Sequence, residues 1–280
     1  MTPDRRRRVP LFAACCILLG ATGLIEQTLL VRELLCLFTG TELTMGMALG
    51  GWLFWSGAGS LIIRRRRRQT ELARLCQLLL LQGVTGLAAV LFCRIAPRLL
   101  NIPAGCLPGI TVMILMIMSV MAAPGLIAGL LFVLASRAVP AQQGDNGHER
   151  YAANRVYWLE GTGAAMGGLA ASAGFMLHLP AVTMALIVLS AGAAMTILVN
   201  LHSPRAIAWS AFLLIGSIVL AIHTPLEELT LALRHSQEEQ LLVRESPYAR
   251  IELYRRGSQF SLYLNGALTA TRPNQALMEE

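Results

Sequence analysis

Apolar runs of bilayer-spanning length fill the chain as far as residue 223, and a short alternating pattern follows them. The runs cover residues 10–31, 43–63, 72–93, 107–138, 156–177, 181–200 and 206–221, each read as a helix of spanning length. Arg32-Glu33 and Thr39-Gly40-Thr41-Glu42 form the first connection, expected to be partly helical. Arg94, Pro97, Arg98, Pro103 and Pro108 follow the third run, where proline predicts a non-helical loop. The run at 107–138 is longer than one span needs and has Pro124-Gly125 in its middle. It reads as one long kinked helix, giving seven spans; division at Pro124 would give eight.

Beyond residue 224 the pattern changes. Residues 226–233 are amphipathic, and strand-like alternation begins near Leu241. Ile251 and Leu253, then Phe260, Leu262 and Leu264, alternate with polar or aromatic neighbours. Arg255-Arg256-Gly257-Ser258 supplies a break, and Asn265-Gly266 is the positive-φ dipeptide of a tight hairpin turn. The predicted fold is an all-α polytopic membrane domain of about seven transmembrane helices over 1–223, followed by a small, incomplete β-hairpin or β-sheet domain over 224–280. An isolated hairpin is marginal in water, so the tail is expected to be mobile beyond about Glu239.

Composition sharpens this picture. Hydrophobic content of 55% and mean hydropathy of +0.58 place most of the chain in a bilayer. All 23 basic residues are arginine, which excludes lysine Schiff-base chemistry and a lysine-dependent phosphate loop. The net charge of +7 sits mainly in the Arg runs at 5–8 and 64–68. With seven spans, Arg74, Arg137, Arg150, Arg155 and Arg205 fall on the same side as those runs, and the opposite loops receive only Arg32, Arg94 and Arg98. The asymmetry predicts a cytoplasmic N-terminus in a multi-pass protein of a bacterial-type inner membrane, with the tail on the far side. The partner implied is the lipid bilayer, not nucleic acid.

Candidate chemistry is sparse. Cys15, Cys16, Cys36, Cys76, Cys93 and Cys106 lie in or beside apolar runs without ligand spacing and read as small apolar residues. His148, His178, His202, His223 and His235 have neither metal-ligand nor triad spacing, so no metal site and no catalytic residue is expected. Glu26, Gln27 and Glu160 are the candidate intramembrane polar residues. Glu26 and Glu33 are seven apart and share a face if the helix continues through Arg32, as a substrate path or proton relay would require; interfacial placement beside Arg32 is the plainer reading. Gln77 and Gln82 read as interhelical hydrogen-bond partners. The stretch from Glu160 through Gly161, Gly163 and Gly167 has the spacing of a dinucleotide loop, but an apolar run without an acidic residue follows it. Gly163, Gly167 and Ala171 are instead read as a small-residue face for close helix packing.

Glu245-Ser246-Pro247-Tyr248, a strand, a basic turn and Leu264-Asn265-Gly266 together resemble the N-terminal β-domain of spermidine synthase-type polyamine aminopropyltransferases, and the spans ahead of them resemble the membrane-fused members. The resemblance implies polyamine biosynthesis by aminopropyl transfer, with decarboxylated S-adenosylmethionine as the family cosubstrate. The chain departs from the family pattern at Asn265 (Asp in the family), Thr269 (Gln), Asn274-Gln275 (an acidic pair) and Met278-Glu279-Glu280 (Tyr-His-Glu). The family's Rossmann-like catalytic domain would follow Glu280. The chain alone is therefore expected to carry no cofactor and no catalysis, and to act as a homo-oligomer, with a separate catalytic chain, or as a truncated remnant. The rival expectation is a transporter or small-solute binding membrane protein using Glu26 and Glu160.

Overall fold

A computed structural model describes residues 3–63, 71–100, 102, 107–138, 148–201, 203–223, 226–232, 239–246 and 248–273. Seven long helices come first: α1 (Pro3–Leu37), α2 (Glu42–Ile63), α3 (Leu72–Leu99), α4 (Ile110–Ala138), α5 (His148–Met176), α6 (Ala181–Val199) and α7 (Pro204–His223). The short helix α8 (Leu226–Ala232) leads to strands β1 (Glu239–Glu245), β2 (Arg250–Arg256), β3 (Gln259–Leu264) and β4 (Ala267–Arg272). Among the described residues, five helices are long and apolar enough to cross a membrane: α1 from Val9, α3, α4, α6, and α7 as far as Ile222. A mostly helical, multi-span architecture with a small sheet is thus present, and the expected count of seven spans is not confirmed. Glycine and serine dilute α2, and α5 carries Glu149, Arg150, Arg155 and Glu160 in its first half.

The first connection is helical as far as Leu37, in keeping with a partly helical reading, and the second is helical as far as Leu99 where a loop was expected. Helix α1 runs through Arg32 and Glu33 to Leu37, and α3 runs through Arg94 and Pro97 to Leu99. Pro97 falls in the last turn of α3, where its missing N–H removes one bond from a helix about to end. The carbonyls of Ala96 and Pro97 accept from the N–H groups of Leu100 and Ile102. The run around Pro124 forms one helix, α4, and is not divided.

Small residues set the helix pairs. A Cβ on Gly163 would meet the Ile17 carbonyl, one on Gly167 the Ala21 carbonyl, and one on Gly20 the Glu160 carbonyl, so α1 and α5 touch backbone to backbone. Ala171 continues that face and is buried. Helices α2 and α4 meet the same way, Gly59 on the Leu126 carbonyl and Gly129 on that of Ser56. Trp55 Nε1 donates to the Met118 carbonyl at 2.9 Å across this contact. Leu30, Leu34, Phe38, Ile117 and Met121 fill the core at one end of the bundle, and Cys15, Leu19, Cys76, Leu79 and Leu131 fill it at the other. Leu53, Phe54, Leu115, Trp158, Leu169, Trp209 and Phe212 point outward, the side chains a lipid-facing surface requires.

The tail is a four-stranded antiparallel meander in the order β1-β2-β3-β4, not an isolated hairpin. Asn265 (φ 49°) and Gly266 (φ 75°) make the two-residue turn between β3 and β4, with the positive φ at both positions of a type I′ turn. Gly257 (φ 61°) turns β2 into β3. The face that packs inward is the polar and aromatic one. Arg250, Glu252 and Tyr254 of β2 are buried, with Ser261 and Tyr263 opposite them on β3. Ile251, Leu253, Leu262 and Leu264 are only half-buried, and Phe260 is exposed. The polar and aromatic face turns inward because charged partners wait for it on the bundle.

Candidate functional site

A cluster of six charged side chains joins the sheet to one end of the bundle. Helix α1 carries Arg32 and Glu33 to this end because it does not stop at Val31. Helix α3 brings Arg94, α8 brings Glu227, and the sheet brings Glu245 and Arg250. Glu33 stands at the centre. Arg94 Nη2 donates to its Oε1 at 2.8 Å, Arg250 Nη1 donates to its Oε2 at 3.2 Å, and Arg250 Nη2 also donates to Oε1. Arg94 is further satisfied by Glu227 Oε1 at 2.6 Å and Thr230 Oγ1 at 2.7 Å. Arg250 Nε donates to Glu245 Oε1, and Arg32 Nη2 donates to Glu245 Oε2 at 2.6 Å and to the Ser246 carbonyl at 2.9 Å. The Arg32 guanidinium also lies 4.0 Å from the ring centroid of Phe175.

Three carboxylates thus face three guanidiniums. Buried charges are tolerable on those terms, because each loses water but gains oriented partners. Burial works against the charged form of Arg250, yet the Glu33 and Glu245 carboxylates outweigh it and hold its pKa well above the usual arginine value.

Backbone features seat the same elements. The end of α5 closes with Leu179 N–H on the Gly174 carbonyl and His178 N–H on that of Phe175, the double bond of a Schellman cap. His178 occupies the left-handed position (φ 57°) usually given to glycine. Its Nδ1 meets the Glu245 carbonyl, and a carbonyl only accepts, so Nδ1 carries the proton. Asn265 accepts from Arg250 N–H at 3.0 Å, and its Cβ stands where a Cβ on Gly40, just past α1, would be 3.5 Å away. Cys36 of α1 lies 3.8 Å from Asn265 Oδ1.

Of the residues marked by the family resemblance, Glu245 therefore enters the charge cluster, Ser246 closes the β1–β2 turn on Ala249, and Asn265 and Gly266 make the docking turn. Leu264 ends β3 half-buried, Tyr248 is 93% exposed, and Pro247 lies outside the described residues. Glu26 is buried in the middle of α1, whereas Gln27 and Glu160 are half-buried and not brought to it. Glu33, Arg94, Glu227, Thr230 and Arg250 carry the cluster and had no place among the predicted site residues. No family model, curated protein or solved structure matches this chain.

Proposed function

We propose that this is a multi-span membrane protein whose helical bundle serves as a rigid platform for a small β-module of the spermidine synthase-like type. In this reading aminopropyl transfer belongs to a separate catalytic chain that works on the platform, with decarboxylated S-adenosylmethionine bound there. The observation that carries the reading is Arg250, buried in the sheet between Glu245 and the bundle's Glu33. Supporting it, Glu245 and Asn265, residues of the resembling motif, are spent on seating the sheet against α1. A carboxylate tied to two guanidiniums is poorly placed to accept the proton of an attacking amine, as aminopropyl transfer demands.

The test is an aminopropyl-transfer assay on the purified protein in detergent, with putrescine or spermidine and decarboxylated S-adenosylmethionine, read by mass spectrometry of the product. No turnover and no calorimetric binding of the cosubstrate are expected from this chain alone. Turnover that persists in Glu245→Gln would overturn the platform reading and require an active site elsewhere in the molecule.

A further inference from the structure

Midway along the bundle, well away from the charge cluster, Glu26 of α1 and Gln82 of α3 are 2% and 1% exposed. Both oxygens of Glu26 and both polar atoms of Gln82 lack a partner in hydrogen-bond geometry. The two side chains are neighbours across the α1–α3 contact, Gln82 Nε2 lying beside Gly23, about one turn before Glu26 on α1. Among the described residues no charged side chain of α1, or of the helices α2 to α6 packed on it, serves Glu26 as a counter-ion. Along the same helices the nearest charged residues are Arg32 and Glu33, just under two turns beyond Glu26, and Arg74 and Arg94, about two turns before and three turns after Gln82. Arg32 pairs with Glu245, and Glu33 with Arg94. Glu160 of α5 meets α1 through its backbone carbonyl at Gly20.

Glycine makes the fit reciprocal. A Cβ on Gly86 of α3 would lie 2.7 Å from Glu26 Cδ, and one on Gly23 of α1 would lie 3.7 Å from Gln82 Nε2. Glu26 thus presses into Gly86 of α3, where even a methyl group would clash, and Gln82 lies within ordinary van der Waals reach of Gly23 on α1. Two carboxylate oxygens and one amide oxygen are also too few for a hard metal cation, which takes about six. A proton needs one acceptor.

We propose that Glu26 and Gln82 form a proton-binding site inside the helical bundle. One Glu26 oxygen takes up a single proton. The resulting O–H donates to Gln82 Oε1, and Gln82 Nε2–H donates to the other Glu26 oxygen. This cyclic acid–amide pair satisfies the four polar atoms at once, with no electron transferred and no bond broken beyond that to the proton. Without the proton, the carboxylate is buried with no counter-ion, which is costly in an apolar interior. Release then requires α1 and α3 to part and admit water, so the state of this site is coupled to their packing.

Infrared spectroscopy of the full chain in lipid nanodiscs tests the site. A carboxylic-acid C=O band should be present at neutral pH, shift down in D2O, and be lost in Glu26→Gln. Gln82→Leu keeps the acid but removes its partner, so the band should move to higher frequency and not disappear. The wild-type spectrum decides the matter even if a variant fails to fold: absence of an acid band at neutral pH overturns the proposal. An unchanged band in Glu26→Gln would assign it to another carboxyl group, an unchanged frequency in Gln82→Leu would remove the pairing, and loss of the band on adding Na+ at constant pH would make the site one for a metal cation. Each of these also overturns it.

Discussion

Asn265 shows how one residue carries two requirements. Its backbone must hold a positive φ for the hairpin turn, and its side-chain oxygen must accept from Arg250 N–H. Asparagine and aspartate tolerate the left-handed region, whereas β-branched residues there are strained. Asn265→Asp keeps both properties and should change stability by less than about 1 kcal/mol, while Asn265→Val loses both and should cost about 1–3 kcal/mol. Thermal unfolding in detergent measures the pair; equal behaviour of the two variants would mean the turn does not seat the sheet. The Asn265-Gly266 turn was legible because turn chemistry is local. Glu33, Arg94, Glu227 and Arg250 were not, since their partners lie 61, 133 and 217 residues apart in sequence. Read singly, each is an arginine or glutamate near a helix end or in a strand, and nothing local distinguishes a buried ion-pair partner from a solvated one.

At the scale of elements, small-residue spacing is the most readable feature. The face of Gly163 and Gly167 could be read from its four-residue repeat, but its partner, α1, could not, because spacing says that helices approach and not which ones do. A leucine at Gly167 would drive its side chain into the Ala21 backbone, whereas Leu169 is exposed on the outer surface. Gly167→Leu should therefore abolish recovery of monodisperse protein, and Leu169→Ala should leave it nearly unchanged, as size-exclusion chromatography would show; equal recovery would mean that α1 and α5 do not pack through glycine. The sheet illustrates the opposite failure. Alternation located the strand positions but left open which face packs inward, because it carries no information about the charged groups awaiting Arg250 on α1. The end of α3 was misread for a related reason: Arg94 beside Pro97 looks like the start of a loop until Glu33, Glu227 and Thr230 satisfy the guanidinium.

Over the whole molecule, α1 and α5 reach the sheet, and the end of α3 and the start of α6 meet α8, so α8 and the sheet together cover one end of the bundle. The start of α1 and the end of α2 belong to the other end. If arginine asymmetry orients the bundle, a reporter active only in the cytoplasm should work when fused after Arg68 and be silent when fused after Arg98 or Arg272. Activity after Arg272 would place the sheet on the cytoplasmic side.

The central claim is that sheet and bundle form one body through Arg250 and Glu33. Removing one partner of a buried pair leaves the other charge uncompensated, at a cost of about 3–5 kcal/mol. Hydrogen–deuterium exchange on the full chain in nanodiscs, wild type against Arg250→Ala, reads this directly. The account predicts protected amides in β1 and β2 of the wild type, exchange on the order of a hundredfold or more faster in the variant, and unchanged exchange in α2 and α4. Strands that exchange equally fast in both proteins would contradict it.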